Sequence, residues 1–190
     1  MDYTTNRRRL WRGPALAALA ALAGCSTYTA TLRATVGDDL NPSLTGSPGV
    51  LTVWAFFLKK PDAFEAERSL ATFLTPGLRD ENRPPEFLAA DTAQVVTLYL
   101  QPAVKGAPVD VEFEVKEVAS EARHVGLIAA FQSHDDADRD ERWRLVVPVS
   151  GGVAAFRVAG KRLERIEPDA PAPAEPSSGK EVQRGTRSSR

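Results

Sequence analysis

Cys25 is the residue whose type and position point most directly to chemistry, and it is the only cysteine in the chain. An apolar stretch from Ala15 to Ala23 leads to it, and four arginines lie between Arg7 and Arg12. A positive flank, a short apolar run and then small residues are typical of a secretory signal. The run is shorter than the roughly 20 apolar residues of a permanent membrane helix. We therefore expect cleavage before Cys25, with its thiol as the nucleophile that takes up diacylglycerol.

The segment Leu22-Ala23-Gly24-Cys25 resembles the lipobox of bacterial lipoproteins. A lone cysteine is more often a small apolar core residue, but that interpretation leaves its place at the end of a signal-like segment unexplained. The resemblance implies that Ser26, rather than Asp, directs the product to the outer membrane. One acyl chain binds a membrane only marginally and stable anchoring needs two. Because mature lipoproteins usually carry three, we expect a permanent lipid anchor on Cys25 and no cofactor.

The remaining candidates for chemistry are weak. Residues 134–141 begin like a calcium loop, but the sixth and twelfth positions counted from Asp136 are Glu141 and Val147, where an EF-hand needs Gly and an acidic ligand. We interpret the run as a solvated acidic loop and expect no metal. His124 precedes an apolar strand without a recognisable catalytic partner. No phosphate-binding glycine loop, nucleophile elbow or zinc spacing occurs, so we expect no enzyme.

Composition limits the classes of partner and the number of domains. Residues 1–24 hold four Arg and one Asp, so their removal lowers the formal charge from −1 to −4 and leaves 166 residues. A mildly acidic chain without a basic stripe is a poor candidate for nucleic acid. Residues 167–190 are rich in Pro, Ala, Ser and Glu, which cannot form a core. We expect a signal peptide over 1–24, one domain over 25–166 and a disordered tail over 167–190.

The elements that position these residues are mainly strands. The clearest is Val109–Val115, where apolar residues alternate with Asp110, Glu112 and Glu114, as in a half-buried antiparallel strand. Gly151-Gly152 indicates a tight turn. Strands are predicted at Thr27–Val36, Val50–Leu58, Val95–Leu100, Val109–Val115, His124–Phe131, 142–147, Val153–Val158 and Leu163–Ile166.

One helix is predicted between these strands. It begins near Pro61, carries apolar residues at helical spacing to Leu74, and ends at Thr75-Pro76-Gly77. Short strands at regular spacing favour an all-β sandwich. We expect the large aromatic residues of these strands to be buried between two sheets, namely Trp54, Phe113, Phe131 and Trp143.

Two regions resemble the type VI secretion lipoprotein family TssJ, also called VasD. The first is Leu40-Asn-Pro-Ser-Leu-Thr-Gly-Ser-Pro-Gly49, which leads into Val50–Lys59 and Asp62-Ala-Phe64. The second is Val125-Gly-Leu-Ile-Ala-Ala-Phe131, an acidic loop and Arg142-Trp-Arg144. The resemblance runs in consistent order from Cys25 to about Ile166. It departs at Phe56-Phe57, where the family usually has Tyr-Gln.

This resemblance implies a transthyretin-like β-sandwich of about eight strands with one short additional helix. It also implies a lipoprotein on the periplasmic face of the outer membrane that binds the periplasmic part of TssM, an inner-membrane component of the secretion complex. The loop after the first strand is implicated in that contact, here Leu40, Asn41, Pro42, Ser43, Leu44, Thr45 and Gly46.

The residues of this loop agree with such a role. Prolines limit the conformations that are lost on binding. Leu40 and Leu44 are apolar side chains in a segment of loop-forming residues, and we expect both to be exposed there. The alternative is that both leucines fold back onto the edge of the sandwich.

The sequence alone leaves two other functions open, because fold does not determine function. The protein could be an assembly factor of a different envelope machine, or a periplasmic small-ligand carrier or enzyme on a transthyretin-like fold. A partner strand added along an exposed edge would favour the first. A deep pocket with titratable groups of perturbed pKa would favour the second, although we expect no small-molecule substrate.

We predict that Cys25→Ser gives an uncleaved or soluble protein without lipid, because the chain holds no other thiol. Metabolic labelling with a palmitate analogue measures this directly. Label retained by the variant would exclude Cys25 as the anchor.

Overall fold

The fold consists of two four-stranded sheets and a layer of short helices. The computed structural model describes residues 26–104, 107–132 and 142–166. Cys25, the acidic run 134–141 and the tail 167–190 lie outside these residues. The strands are β1 Thr27–Val36, β2 Leu51–Leu58, β3 Thr92–Leu100, β4 Val109–Ala119, β5 His124–Ala130, β6 Arg144–Pro148, β7 Val153–Ala159 and β8 Arg162–Arg165.

One sheet has the strand order β4-β1-β7-β8 and the other has the order β3-β2-β5-β6. Neighbouring strands are antiparallel except β1 and β7, which are parallel. The all-β sandwich expected from the sequence is confirmed. Strand β4 continues beyond the predicted Val115 because a bulge at Glu117, with φ of 59°, shifts its register against β1 and lets the pairing resume.

Strand β2 lies inside its sheet and is covered on both faces. Its Phe56 ring lies 5.7 Å from the ring of Phe64 and 6.3 Å from that of Phe73, both in the helical layer. Because successive side chains point to opposite faces, Phe57 points toward the other sheet. All the aliphatic and aromatic residues of β2 are buried, which explains why the strand is apolar at nearly every position.

The predicted single helix is wrong, because the structure has three short ones. They are α1 Asp62–Ala66, α2 Leu70–Phe73 and α3 Pro76–Glu81, followed by a 3-10 turn at Glu86–Leu88. The carboxylate of Glu67 accepts hydrogen bonds from the backbone N–H groups of Arg68 and Ser69. Such local bonds compete with helix formation, and Glu67 is extended. Among the described residues, no helix is long and apolar enough to cross a membrane.

The segment Thr75-Pro76-Gly77 begins a helix instead of ending one. The hydroxyl of Thr75 accepts a hydrogen bond of 3.2 Å from the N–H of Leu78, and Pro76 is in the first turn of α3. Proline is favoured there because its missing N–H would have no partner within the helix.

The helices pack on the sheet through an aromatic cluster, which we define as Phe56, Phe64, Phe73, Phe87 and Trp143. Phe73 is central, with ring centroids 5.1 to 6.3 Å from the other four. Gly126 of β5 leaves room for it, since a Cβ there would lie 2.6 Å from the Phe64 ring. Arg144 donates to the carbonyls of Phe64, Glu65 and Glu67 and so holds the carboxyl end of α1.

The expected burial of the large aromatics is confirmed for Trp54, Phe131 and Trp143 but is wrong for Phe113, which is only half-buried. Phe113 belongs to β4, an edge strand of its sheet, so one side of its ring stays open. The expected location between the sheets is also wrong for Trp143, whose ring contacts Phe73 in the aromatic cluster. It is wrong for Trp54 too, because Trp54 lies two residues from Phe56 in β2 and shares its helix-facing side.

Connections alternate strictly between two ends of the sandwich. The Ser26 end holds the amino terminus of β1, the helical connection 59–91, the turn 120–123 and the turn 149–152. The opposite end, here called the loop end, holds the described residues 37–50, 101–104, 107–108, 131–132, 142–143 and 160–161. The predicted turn at Gly151-Gly152 is confirmed, with φ of 56° and 82° and paired hydrogen bonds between Ser150 and Val153.

We expect Phe73→Ala to lower the free energy of unfolding by about 3–5 kcal/mol, because it empties the centre of the aromatic cluster. Phe113→Ala should have a smaller effect, about 1–2 kcal/mol, since its ring is only half-buried. Urea denaturation of the two variants measures the difference. Equal midpoints would show that the helical layer does not contribute to the core.

Candidate functional site

The connection between β1 and β2 divides into a buried base and an exposed tip. Leu40 is 0% exposed and Asn41 is 1% exposed, whereas Leu44 is 93% exposed. The expectation of two solvent-facing leucines is therefore wrong for Leu40, which packs in the core, and confirmed for Leu44. The loop narrows at its base because the N–H of Gly49 donates to the carbonyl of Leu40 at 2.9 Å.

Asn41 joins three separate parts of the chain. Its Nδ2 donates to the carbonyl of Val50 at 2.7 Å, and its Oδ1 accepts from the N–H of Gln132 at 2.9 Å. Its backbone N–H donates to the carbonyl of Gly160 at 2.9 Å. Val50 and Gln132 flank β2 and β5 of one sheet, while Gly160 lies in the β7–β8 turn of the other. Asn41 therefore links the two sheets at the loop end.

The tip is closed by its own hydrogen bonds. The N–H of Ser43 donates to Ser47 O and the N–H of Gly46 donates to Ser43 O, both at 2.9 Å. The hydroxyls of Ser43 and Thr45 lie 2.9 Å apart. Gly46 has φ of 80°, a conformation that glycine adopts without strain. These bonds form a small closed turn with Leu44 and Thr45 exposed at its apex.

Exposed apolar side chains collect around this tip. Of the six large hydrophobic residues exposed among the described ranges, five lie at the loop end, namely Leu44, Val50, Tyr99, Val104 and Val109; the sixth is Phe87. Leu44 and Val104 are the most exposed, at 93% and 86%. An apolar surface of this kind, bordered by polar residues, is typical of a protein-binding site.

The connections 37–50 and 101–108 are joined and enclose a groove. The N–H of Ala103 donates to the carbonyl of Gly37 at 3.1 Å. The groove has a volume of about 670 Å³ and is lined by Asp38, Asp39, Gly46, Pro48, Pro102, Ala103 and Val104. A neighbouring groove of about 370 Å³ extends along the same connection to Tyr99 and Val109. The candidate site therefore consists of the exposed apolar side chains of the loop end and two adjoining grooves that share Pro102, Ala103 and Val104, with Asp38 and Asp39 at one edge.

The structure distributes the predicted loop residues unequally. Leu40 and Asn41 form the base, Pro42 and Ser43 are half-buried, and Leu44, Thr45 and Gly46 are exposed. Sequence reasoning did not identify Gln132, Tyr99 or Val104. Val104 could have been identified from the sequence, because it is an apolar residue in a segment of turn-forming residues, as Leu44 is.

Within ranges 26–104, 107–132 and 142–166, no group of three or more His, Cys, Asp or Glu is placed to bind a metal ion. His124 lies at the Ser26 end, at the start of β5, and its Nδ1 is buried without a hydrogen-bond partner in the described structure. The geometry of the loop end is that of a binding surface.

Comparison with protein families gives one match. The profile described as type VI secretion lipoprotein, with the member names VasD, EvfM, TssJ and VC_A0113, matches residues 28–159. The match begins in β1 and ends with β7, so it includes seven of the eight strands, the helical layer and the whole β1–β2 connection. No curated protein matches the sequence.

Solved structures share the fold at low sequence identity. The type VI secretion lipoprotein TssJ1 from Pseudomonas aeruginosa is 21% identical with a TM-score of 0.55, covering 77% of this chain and 100% of that one. A chain of a type VI membrane complex is 23% identical with a TM-score of 0.55, covering 75% and 100%. A structure described as the TssM C-terminal domain from EAEC is 20% identical with a TM-score of 0.51, covering 73% and 98%.

We expect Asn41→Gly to destabilise the fold by about 2–4 kcal/mol, because it leaves a buried N–H and a buried carbonyl unpaired. Glycine adopts the φ of 46° at this position, so the effect isolates the side-chain amide. Asn41→Ala should lose about 1 kcal/mol more through backbone strain. Thermal and urea unfolding measure both. If the Asn41→Gly variant were as stable as the unchanged chain, Asn41 would not link the sheets.

Proposed function

The chain belongs to the TssJ/VasD family of type VI secretion lipoproteins, and from this premise we propose that it fastens the secretion apparatus to the outer membrane. It does so by binding the periplasmic part of TssM with its loop end. In this proposal Cys25 carries the lipid on the periplasmic face of the outer membrane, and residues Leu40–Gly46 take part in the contact. The role is structural, and no catalytic step is involved.

The observation that carries the proposal is the position of the apolar surface relative to the anchor. Strand β1 begins two residues after Cys25 and ends next to the β1–β2 connection. Ten residues of strand span about 33 Å. Leu44 and Val104 therefore lie at the far end of the domain from the lipid, where a component that comes from the inner membrane would reach them.

The rigidity of the loop also supports binding. Its base is held by the buried Asn41 amide and its tip by the bonds between Ser43, Gly46 and Ser47. Little conformational freedom is left to lose when a partner contacts Leu44, so more of the contact energy appears as affinity. Support for TssM comes from the structures that share the fold, one described as a type VI membrane complex and one as the TssM C-terminal domain.

A small-ligand carrier receives less support from the same structure. The facing strands fill the space between the sheets with fully buried side chains, including Leu32, Val53 and Phe57. The larger groove at the loop end lies between surface connections, and the smaller one opens at the edge of the sandwich between β3 and β4. They suit the side chains of a protein partner better than an enclosed small molecule.

We expect the double change Leu44→Ala with Val104→Ala to weaken binding to a periplasmic TssM fragment by roughly ten- to a hundredfold. A leucine or valine side chain that is removed fully from water contributes about 1.5–3 kcal/mol of free energy. A side chain in a loop contact is only partly buried, so we assign about half of that to the binding free energy of each residue. The melting temperature should not change, because both side chains are exposed. Titration calorimetry and thermal unfolding provide the two measurements.

The control for affinity is Phe87→Ala, which removes a 39% exposed apolar side chain away from the loop end; because its ring packs on Phe73, this variant should have a lower melting temperature. Its affinity for TssM should equal that of the unchanged chain. Leu40→Ala should also lower the melting temperature, because Leu40 is in the core. Full affinity in the double variant would remove the loop end as the TssM-binding surface.

A further inference from the structure

The domain begins almost directly at the anchor residue. Only Ser26 separates Cys25 from β1. Ser26 is itself held, because its carbonyl accepts from the N–H of Ser120 at 2.9 Å and its hydroxyl donates to the hydroxyl of Ser120 at 2.6 Å. Neighbouring Cα atoms are about 3.8 Å apart. A lipid on Cys25 would therefore have no flexible tether between it and the folded domain.

The surface around Ser26 is held in place by several contacts. The hydroxyl of Tyr28 donates to the carbonyl of Ala122 at 2.8 Å and fixes the β4–β5 turn beside Ser26. Burial raises the pKa of Tyr28, and the nearby Arg123 opposes this shift, so the phenol remains a donor at physiological pH. The Nζ of Lys59 lies 2.7 Å from a carboxylate oxygen of Glu121 in the same turn.

This surface differs in chemistry from the loop end. It presents the hydroxyls of Ser26 and Ser120 and charges of both signs on Lys59, Glu121 and Arg123. None of the six large exposed hydrophobic residues of the described chain lies in its segments 26–28, 59–60, 119–124 or 149–152. A surface with both charge signs and hydroxyls complements a zwitterionic headgroup, which carries a phosphate and an ammonium group. It does not suit insertion among acyl chains, which needs an apolar face.

We propose that the Ser26 end lies directly against phospholipid headgroups, held there by the absence of a tether, and that this contact orients the loop end away from the membrane. The inference rests on the lipid anchor of the proposed function. The domain is then oriented relative to the membrane before any partner binds. In a lipoprotein with a long flexible tether the domain would rotate freely, and each of its faces would at times be turned toward the membrane. Here the TssM-binding surface would always point into the periplasm.

The experiment uses the lipidated protein that begins at Cys25, in vesicles of phosphatidylcholine, a zwitterionic lipid. After lipidation the chain has no free thiol, so a single added cysteine gives a unique labelling site. A fluorophore is attached to Glu121→Cys at the Ser26 end or to Thr45→Cys at the loop end. A nitroxide on the lipid headgroup quenches only over short distances. We expect quenching at position 121 to exceed quenching at position 45 several-fold, because the two ends are separated by the length of β1, about 33 Å.

A second variant tests the tether itself. Twelve Gly and Ser residues inserted between Ser26 and Thr27 keep Ser next to Cys25 and add a flexible tether with a mean span of about 20 Å. Quenching at position 121 should then fall to the level at position 45. Equal quenching at both ends of the chain without the insertion would overturn the proposal, as would unchanged quenching at position 121 after it.

Failure of the anchor gives a different result from failure of the orientation. Without lipid on Cys25 the protein would not float with the vesicles in a density gradient, and both the anchor and the inference built on it would be wrong. Flotation with equal quenching would leave the anchor intact and exclude only the headgroup contact.

Discussion

The buried amide of Asn41 is the interaction on which the candidate site depends. A buried polar group must be hydrogen-bonded, and Asn41 finds its partners on both sides of the sandwich, at Val50 and Gln132 in one sheet and at Gly160 in the other. These bonds fix the loop base against both sheets. Leu40 is then directed into the core, and the tip that carries Leu44 is directed outward. The same contacts that close the end of the sandwich therefore also position its most exposed apolar side chain.

The arrangement of layers gives the two ends of the domain different chemistry. Strand β2 is covered by the other sheet on one face and by the helices and the aromatic cluster on the other. The helical connection runs along the sheet from the Ser26 end, and Arg144 holds it there through three carbonyls. The central strands β2 and β5 of this sheet are therefore not accessible to a partner. The alternation of strand direction leaves two distinct ends, one polar and next to the anchor residue, the other apolar and remote from it.

Strand positions could be predicted from the sequence because a half-buried strand imposes an alternation that does not depend on its partners. Strand β1 begins and ends where the pattern indicates, and β4 deviates only through its bulge at Glu117. The helical connection was predicted less well. Apolar residues at helical spacing indicated one helix, but the backbone bonds to the Glu67 carboxylate and the cap at Thr75 divide it into three. Local hydrogen bonds of this kind cannot be predicted from the spacing of apolar residues.

The sequence by itself determined the order and faces of the strands, the lipobox-like segment ending at Cys25 and the family resemblance of the loop at Leu40–Gly49, because these depend on residue types at short spacing. Only the tertiary structure decided that Leu40 is buried while Leu44 is exposed, since both are leucines in the same loop and their local sequences do not distinguish them. The difference arises from contacts of Asn41 with Gln132 and Gly160, which are far away in the chain. The gathering of Tyr99, Val104 and Leu44 at one end has the same origin: strand pairing brings together residues that no local pattern connects.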